Sequence, residues 1–181
     1  MGRRVIIMFR IHEYDTSYPI LFQKESQKLA EILKGTCLIE HIGSTAIPGV
    51  DGKGVIDIML VFDKPDEIEP IIVSLQQHGY YFTDGGVDRR DKAFMSSSGE
   101  RESGPGDIHL HLVSIDNQDY PRAILFRDYL IRHPKAKQSY VNLKYELYKK
   151  VAGNRSEYTK LKSSFIEKII ALAQDETTRI E

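Results

Sequence analysis

A chain of 181 residues suits one domain with a core of its own, and 41% hydrophobic with 28% charged residues is the composition of an ordinary globular protein. The formal net charge of −1 gives no whole-protein basic field, which argues against a nucleic-acid partner or an anionic membrane surface. Cys37 is the only cysteine, so an intramolecular disulfide and a cysteine-based metal cluster are excluded, and a reducing, cytoplasmic setting is expected.

The opening stretch has two arginines and a short apolar run before Arg10 and His12, too short for the core of a signal peptide, and no segment is long enough to span a bilayer. Val5 to Ile11 reads as an edge strand. Ser17 to Lys34 reads as a helix on the spacing of Ile20, Leu21, Leu29, Ile32 and Leu33, with Gly35 as its C-terminal stop. Thr36 to Ile42 is a short apolar strand that runs into a turn of small residues, Gly43 to Gly49. Gly54 to Phe62 is nearly all apolar and is therefore expected in the middle of a sheet.

Pro65 to His78 reads as a helix ended by Gly79. Tyr80 to Thr83, Lys92 to Ser98 and Asp107 to Ser114 read as strands, separated by loops over Asp84 to Asp91 and Gly99 to Gly106. From Pro121 onward the pattern is helical only: Pro121 to Arg132, Pro134 to Lys150 and Ser156 to Gln174, with a break at His133-Pro134 and a tail rich in Glu and Thr that is expected to fray. This order gives an α/β (α+β) single domain over 1–181, with strands and helices over 1–115 and a helical segment over 120–175 packed against them.

Two places carry chemistry. Gly43-Ser44 ends one strand and Asp57 sits inside the next. A glycine after a strand lets backbone N–H groups approach a phosphate, and a serine hydroxyl adds a donor. On its own the pair is equally an ordinary turn. Asp57 lies in the run Val55 to Phe62, where a carboxylate is costly unless it is ligated or ion-paired; a metal and a structural ion pair both satisfy it. The second place is Asp107-Ile108-His109-Leu110-His111-Leu112. Strand alternation puts Asp107, His109 and His111 on one face, either as metal ligands and proton carriers or as the polar side of a half-exposed strand.

The stretch Ile39-Glu40-His41-Ile42-Gly43-Ser44-Thr45-Ala46-Ile47-Pro48-Gly49-Val50, with Lys53 and Val55-Ile56-Asp57-Ile58 after it, resembles the signature of the GrpB family. Phe126 to Pro134, then Tyr140, Leu143 and Lys144, is similar to a second block of that family, and His109-Leu110-His111-Leu112 to its His-Leu-His-Val strand. Tyr14-Asp15, Phe22 and Glu25 match its opening helix, with Tyr18 where Trp is common.

The resemblance implies a nucleotidyltransferase-like fold, a mixed sheet flanked by helices. In active members of that superfamily Gly-Ser cradles the triphosphate of a nucleotide and an acid-hydrophobic-acid pair on the next strand holds a divalent metal. The implied site is Asp57, His109 and His111 for catalysis and for Mg²⁺ or Mn²⁺. Gly43, Ser44, Thr45, Lys53, Arg90, Arg127 and Lys144 are then implied for the ligand's phosphates. Arg89 or Arg90 falls on a loop where the family match is loose, and a solvated charged loop explains them as well. Arg122, Arg127, Arg132 and Lys144 close over an anion or lie on solvated helix faces. Tyr129, Tyr140, Tyr145 and Tyr148 are expected between helices with their hydroxyls out. The pattern departs from the superfamily at Met59, because a thioether is a poor Mg²⁺ ligand. Two functions are left open. One is an enzyme moving a nucleotidyl or phosphoryl group from a nucleoside triphosphate to a small acceptor. The other is a binding module for a nucleotide or other anion on the same fold.

Overall fold

The computed structural model describes residues 10–82, 91–98, 105–151 and 154–180. Helix α1 (Tyr18–Leu33) stops where Lys34 and Gly35 both turn to positive φ, 51° and 73°. The Thr36 amide and hydroxyl then bond back to the Leu33 carbonyl at 3.1 and 2.8 Å. Strand β1 (Leu38–Ile42) therefore starts two residues later than the apolar run suggests. Strand β2 (Ile56–Phe62) is also delayed. Gly54 sits at φ 77°, where an added Cβ would meet Pro105 at 2.9 Å and the Tyr18 hydroxyl at 3.0 Å, so it belongs to a close crossing rather than to the strand.

The expected helix from Pro65 opens as a 3-10 turn over Pro65–Glu67, where the Glu67 carboxylate accepts from the Lys64 amide at 3.2 Å, and continues as α2 (Ile68–Gln77). Then come β3 (Tyr81–Phe82), β4 (Lys92–Ser96), β5 (Ile108–Ser114), α3 (Asp119–Arg132), α4 (Pro134–Lys150) and α5 (Arg155–Ile180). The tail does not fray at Gln174. Glu176 pairs with His133 at 2.8 Å and with Arg132 at 3.5 Å, which ties the last turns of α5 to the end of α3. Most of the expected Val5 to Ile11 strand and of the two loops lies outside the described residues. Just after it, His12 forms a single antiparallel bridge with Gly52, with bonds of 2.7 and 2.9 Å. No helix among the described residues is long and apolar enough to cross a membrane.

The five strands form one mixed sheet in the order β1-β2-β5-β4-β3, with β2 and β5 parallel and the other neighbours antiparallel. Side-chain alternation sorts the two faces. Ile56, Ile58, Leu60 and Phe62 of β2 and Ile108, Leu110 and Leu112 of β5 join Leu29, Leu33, Ile68 and Leu75 of α1 and α2 in the main core. On the other face Ile42, Met59, Val61 and Val113 pack beneath Tyr120, Ala123 and Ile124 of α3. Helices α3, α4 and α5 share a second apolar cluster, including Phe126, Tyr140 and Ile169, which also takes in Ile47 and Val50 from the turn after β1. That turn is thus held between the sheet and the helical segment, and the site forms along this seam.

Candidate functional site

The register places Asp57 beside His109, and Met59 beside His111, on the parallel pair at the centre of the sheet. The odd-numbered residues of both strands face the helical segment, so Asp57, His109 and His111 share one side as the alternation predicts. His109 Nδ1 and His111 Nε2 both lie 3.3 Å from Asp57 Oδ1. Burial alone would raise the Asp57 carboxyl, but hydrogen bonds from these two rings, and their charge, hold it well below the ordinary carboxylate range. Phe94 of β4 meets both imidazoles edge-on, at 4.9 and 5.0 Å between ring centres.

Gly43 ends β1 at φ 73°, and a Cβ there would lie 2.5 Å from Asp57 Oδ2. Two physical demands thus fix the residue: left-handed backbone, and a carboxylate packed against its Cα. Ser44 follows at the head of a 3-10 turn over Ser44–Ala46. Both, with Asp57, His109, His111 and Phe94, wall a cleft of about 470 Å³.

The opposite wall comes from three helices, each presenting residues about one turn apart. From α3 come Asp119, Arg122, Ala123 and Phe126; from α4, Tyr140 and Lys144; from α5, Tyr158, Lys162, Ile166 and Ile170. Lys144 is only 3% exposed; it donates to the Asp51 carbonyl and lies over the Tyr140 ring at 4.9 Å. Burial, and then the nearby charges of Lys162 and Lys53, bring its amine down to about 7 against the pull of Asp51 and Asp57. Lys53 and Lys162 lie over the Tyr158 ring at 5.6 and 4.9 Å. Asp51 anchors the loop beneath them, its carboxylate accepting from the Tyr14 amide at 3.0 Å and the Tyr145 hydroxyl at 2.8 Å.

Of the residues singled out in the sequence, Gly43, Ser44, Lys53, Asp57, His109, His111 and Lys144 line this cleft, as does Arg122. Thr45 does not: it is 1% exposed, donates to the Val55 carbonyl at 3.0 Å and accepts from His41 Nε2 at 3.0 Å. Its role here is to pin the turn. Arg127 does not line the cleft either; it bonds Glu40 at 2.8 Å, the His41 carbonyl at 2.9 Å and Asp128 at 2.7 Å, latching α3 to β1. Arg89 and Arg90 lie outside the described residues. Asp107 precedes β5 and is not part of the wall. Tyr140 is buried in the cleft wall rather than turned outward. The sequence reading missed Tyr158, Thr159 and Lys162, although Tyr158, Lys162, Ile166 and Ile170 recur every four residues and mark one face of α5.

The donor set does not match the divalent ion that the resemblance implies. An ionised carboxylate only accepts, so the Asp57 oxygen facing both rings takes an N–H from each, and those nitrogens then have no lone pair to offer an ion. The second carboxylate position is Met59, 3% exposed beneath α3. Among the described residues no group of three or more His, Cys, Asp or Glu side chains could hold a metal ion. The residues present do not form a ready-made cation site.

The fold is nucleotidyltransferase-like. The solved Cid1 poly(U) polymerase bound to MgATP matches 77% of this chain and 44% of its own length with a TM-score of 0.55 at 11% identity, which bears on the fold alone. Within that class the chain belongs to the family described as GrpB protein, which matches residues 8–172. The crystal structure of the conserved protein GrpB from Enterococcus faecalis covers 93% of this chain and 99% of that one, with a TM-score of 0.80 at 27% identity. UPF0157 protein PA4798 of Pseudomonas aeruginosa is 30% identical over 88% of this chain, which spans 65% of that relative's length. A dephospho-CoA kinase of Mycobacterium tuberculosis is 26% identical over 84% of this chain, which spans 43% of the kinase.

Proposed function

We propose that this chain binds a nucleotide by its phosphates in the cleft between sheet and helices, and transfers a nucleotidyl or phosphoryl group from it to a small acceptor. The observation that carries the reading is the meeting, in one cleft, of the Gly43-Ser44 turn with Lys53, Lys144 and Lys162 opposite. Amide donors and the serine hydroxyl on one side and ammonium groups on the other suit a chain of phosphates crossing the seam. Asp57 orients His109 and His111, and His111, the more exposed of the two at 34% of its side chain, is placed to pass a proton between an acceptor hydroxyl and the cleft. The cleft is apolar around this polar centre, with Phe94, Phe126 and Ile170 in its wall, which suits a ligand with a ring or an aliphatic arm.

A second reading, nucleotide or anion binding without turnover, is favoured by Met59, which takes the place of an acid beneath α3. The mycobacterial relative named as a dephospho-CoA kinase puts dephospho-CoA first among the acceptors and ligands to try. The lone Cys37, with no partner for a disulfide, supports placing the activity in the cytoplasm. The test is release of pyrophosphate or phosphate from labelled nucleotides in the presence of a pool of small-molecule acceptors. Transfer should be lost in Asp57→Asn, whose fold is kept because the side chains are nearly the same shape, and should fall less in Ser44→Ala. Turnover that survives Asp57→Asn would place the chemistry elsewhere. Tight binding with no turnover in the wild type would leave the second reading standing.

A further inference from the structure

We propose that the cleft holds its phosphate ligand through the amines of Lys53, Lys144 and Lys162 and needs no divalent cation to do so. The inference rests on the reading that the cleft takes a phosphorylated ligand, and it concerns what neutralises that ligand.

On the sheet side, Asp57 is engaged through Oδ1 and crowded by the Gly43 turn at Oδ2. Oδ1 faces two imidazole N–H groups at 3.3 Å, and Oδ2 packs so close to Gly43 that a Cβ would lie 2.5 Å away. An ion recruited there would have to displace these contacts, and Met59 leaves it no second carboxylate.

Three lysines from three separate segments, the loop before β2, α4 and α5, line the same cavity. Lys53 and Lys162 lie over one tyrosine ring, Tyr158. A Cβ added to Gly52 would touch Ser44 Oγ and lie 3.2 Å from Lys144 Nζ, so the serine hydroxyl and the buried amine flank the same glycine. Burial first, and then the neighbouring Lys162 and Lys53, lower the Lys144 amine against the pull of Asp51 and Asp57, so the three amines are close enough to sense one another. A triphosphate placed among them takes a charge-assisted hydrogen bond from each ammonium. The charge that a metal ion ordinarily brings to a phosphate chain is in this cleft supplied by the chain's own side chains.

The experiment is calorimetric titration of inorganic tripolyphosphate and of ATP into the full chain, once in EDTA and once in excess Mg²⁺ or Mn²⁺. Binding in EDTA is expected to be at least as tight as with the ion. Lys162→Gln and Lys53→Gln should each weaken it about tenfold in EDTA, the loss of one charge-assisted bond. Lys162→Arg should retain most of the affinity, and Asp57→Asn should retain or tighten it. Tighter binding of ATP than of tripolyphosphate identifies a nucleotide as the source of the phosphates, and the reverse identifies inorganic polyphosphate; either upholds the proposal. Binding that vanishes in EDTA, returns with Mg²⁺ or Mn²⁺ and falls in Asp57→Asn overturns it while leaving the nucleotide-binding reading intact. No binding of either probe under either condition overturns that reading as well.

Discussion

On the sheet wall of the cleft, the one carboxylate, Asp57, is matched by two imidazoles from the adjacent parallel strand. On the helical wall, Lys144 is more enclosed than Asp57 and is held by a backbone carbonyl and a tyrosine ring, with two further lysines lining the same space. The first wall is electrostatically complete within the fold. The second holds Lys144 and Lys162, with Lys53 of the loop before β2 lining the same space. In the proposed reading the parts differ in role: strand residues set the cleft's shape and polarity, and the three lysines supply the attraction for an anion.

The largest expected effect comes from breaking the sheet wall at its tightest point. Gly43→Ala forces a side chain onto left-handed backbone and against Asp57. It should lower unfolding stability by about 2–4 kcal/mol in chemical denaturation. A midpoint unchanged from wild type would show that the turn relaxes freely and that the carboxylate is not locked against it. Thr45→Val comes next. It leaves the buried Val55 carbonyl and His41 Nε2 without their hydroxyl partner, and should cost about 1–3 kcal/mol while leaving anion affinity unaltered. A loss of affinity with no loss of stability would return Thr45 to the ligand-binding set.

The helical wall is sharpened by pH. The Lys144 amine sits at about 7 in the empty cleft, facing Lys162, Lys53, Asp51 and Asp57, and a bound anion favours its charged form. Below 7 it is charged with or without ligand, so affinity is flat there. Between about 7 and the ordinary lysine value of 10.5, binding must take up a proton, so affinity should fall as pH rises, by up to about tenfold per unit. The same group has the opposite effect on the empty fold: its contribution to stability should rise with pH across that window, because only the unfolded chain keeps the proton. Titrations in buffers of different ionisation heat measure the uptake directly. Uptake absent at pH 8 would mean that Lys144 stays charged in the empty protein. The smallest effect is expected from Arg132→Ala, which removes an exposed 3.5 Å pair with Glu176 and should change stability by less than about 0.5 kcal/mol.

These contrasts also explain what the sequence could show. The sheet wall was legible because strand alternation is strict: Asp57, His109 and His111 are odd-numbered positions beside the apolar even positions Ile56 to Phe62 and Ile108 to Leu112, so their common face follows from the pleat. The turn at Gly43-Ser44 was legible from its residue types. The helical wall was less so, because which stripe of a helix faces a cleft depends on how three helices pack. Lys144 was reached through its resemblance to a family pattern. Lys162 and Tyr158 went unseen, although their spacing of four with Ile166 and Ile170 marks a face. Thr45 and Arg127 show the converse. Both match the family pattern, yet their hydrogen-bond partners are the Val55 and His41 carbonyls and neighbouring side chains, contacts between distant segments that no local pattern reveals.

The central claim is that phosphates lie between Gly43-Ser44 and the lysines of the helical wall. A crystal structure of the full chain grown with ATP tests it most directly. The account predicts phosphate oxygens within hydrogen-bonding distance of Ser44 and of the Lys53, Lys144 or Lys162 amines, with His111 and Asp57 still paired beside them. ATP bound at another surface, with this cleft holding only solvent, would contradict it.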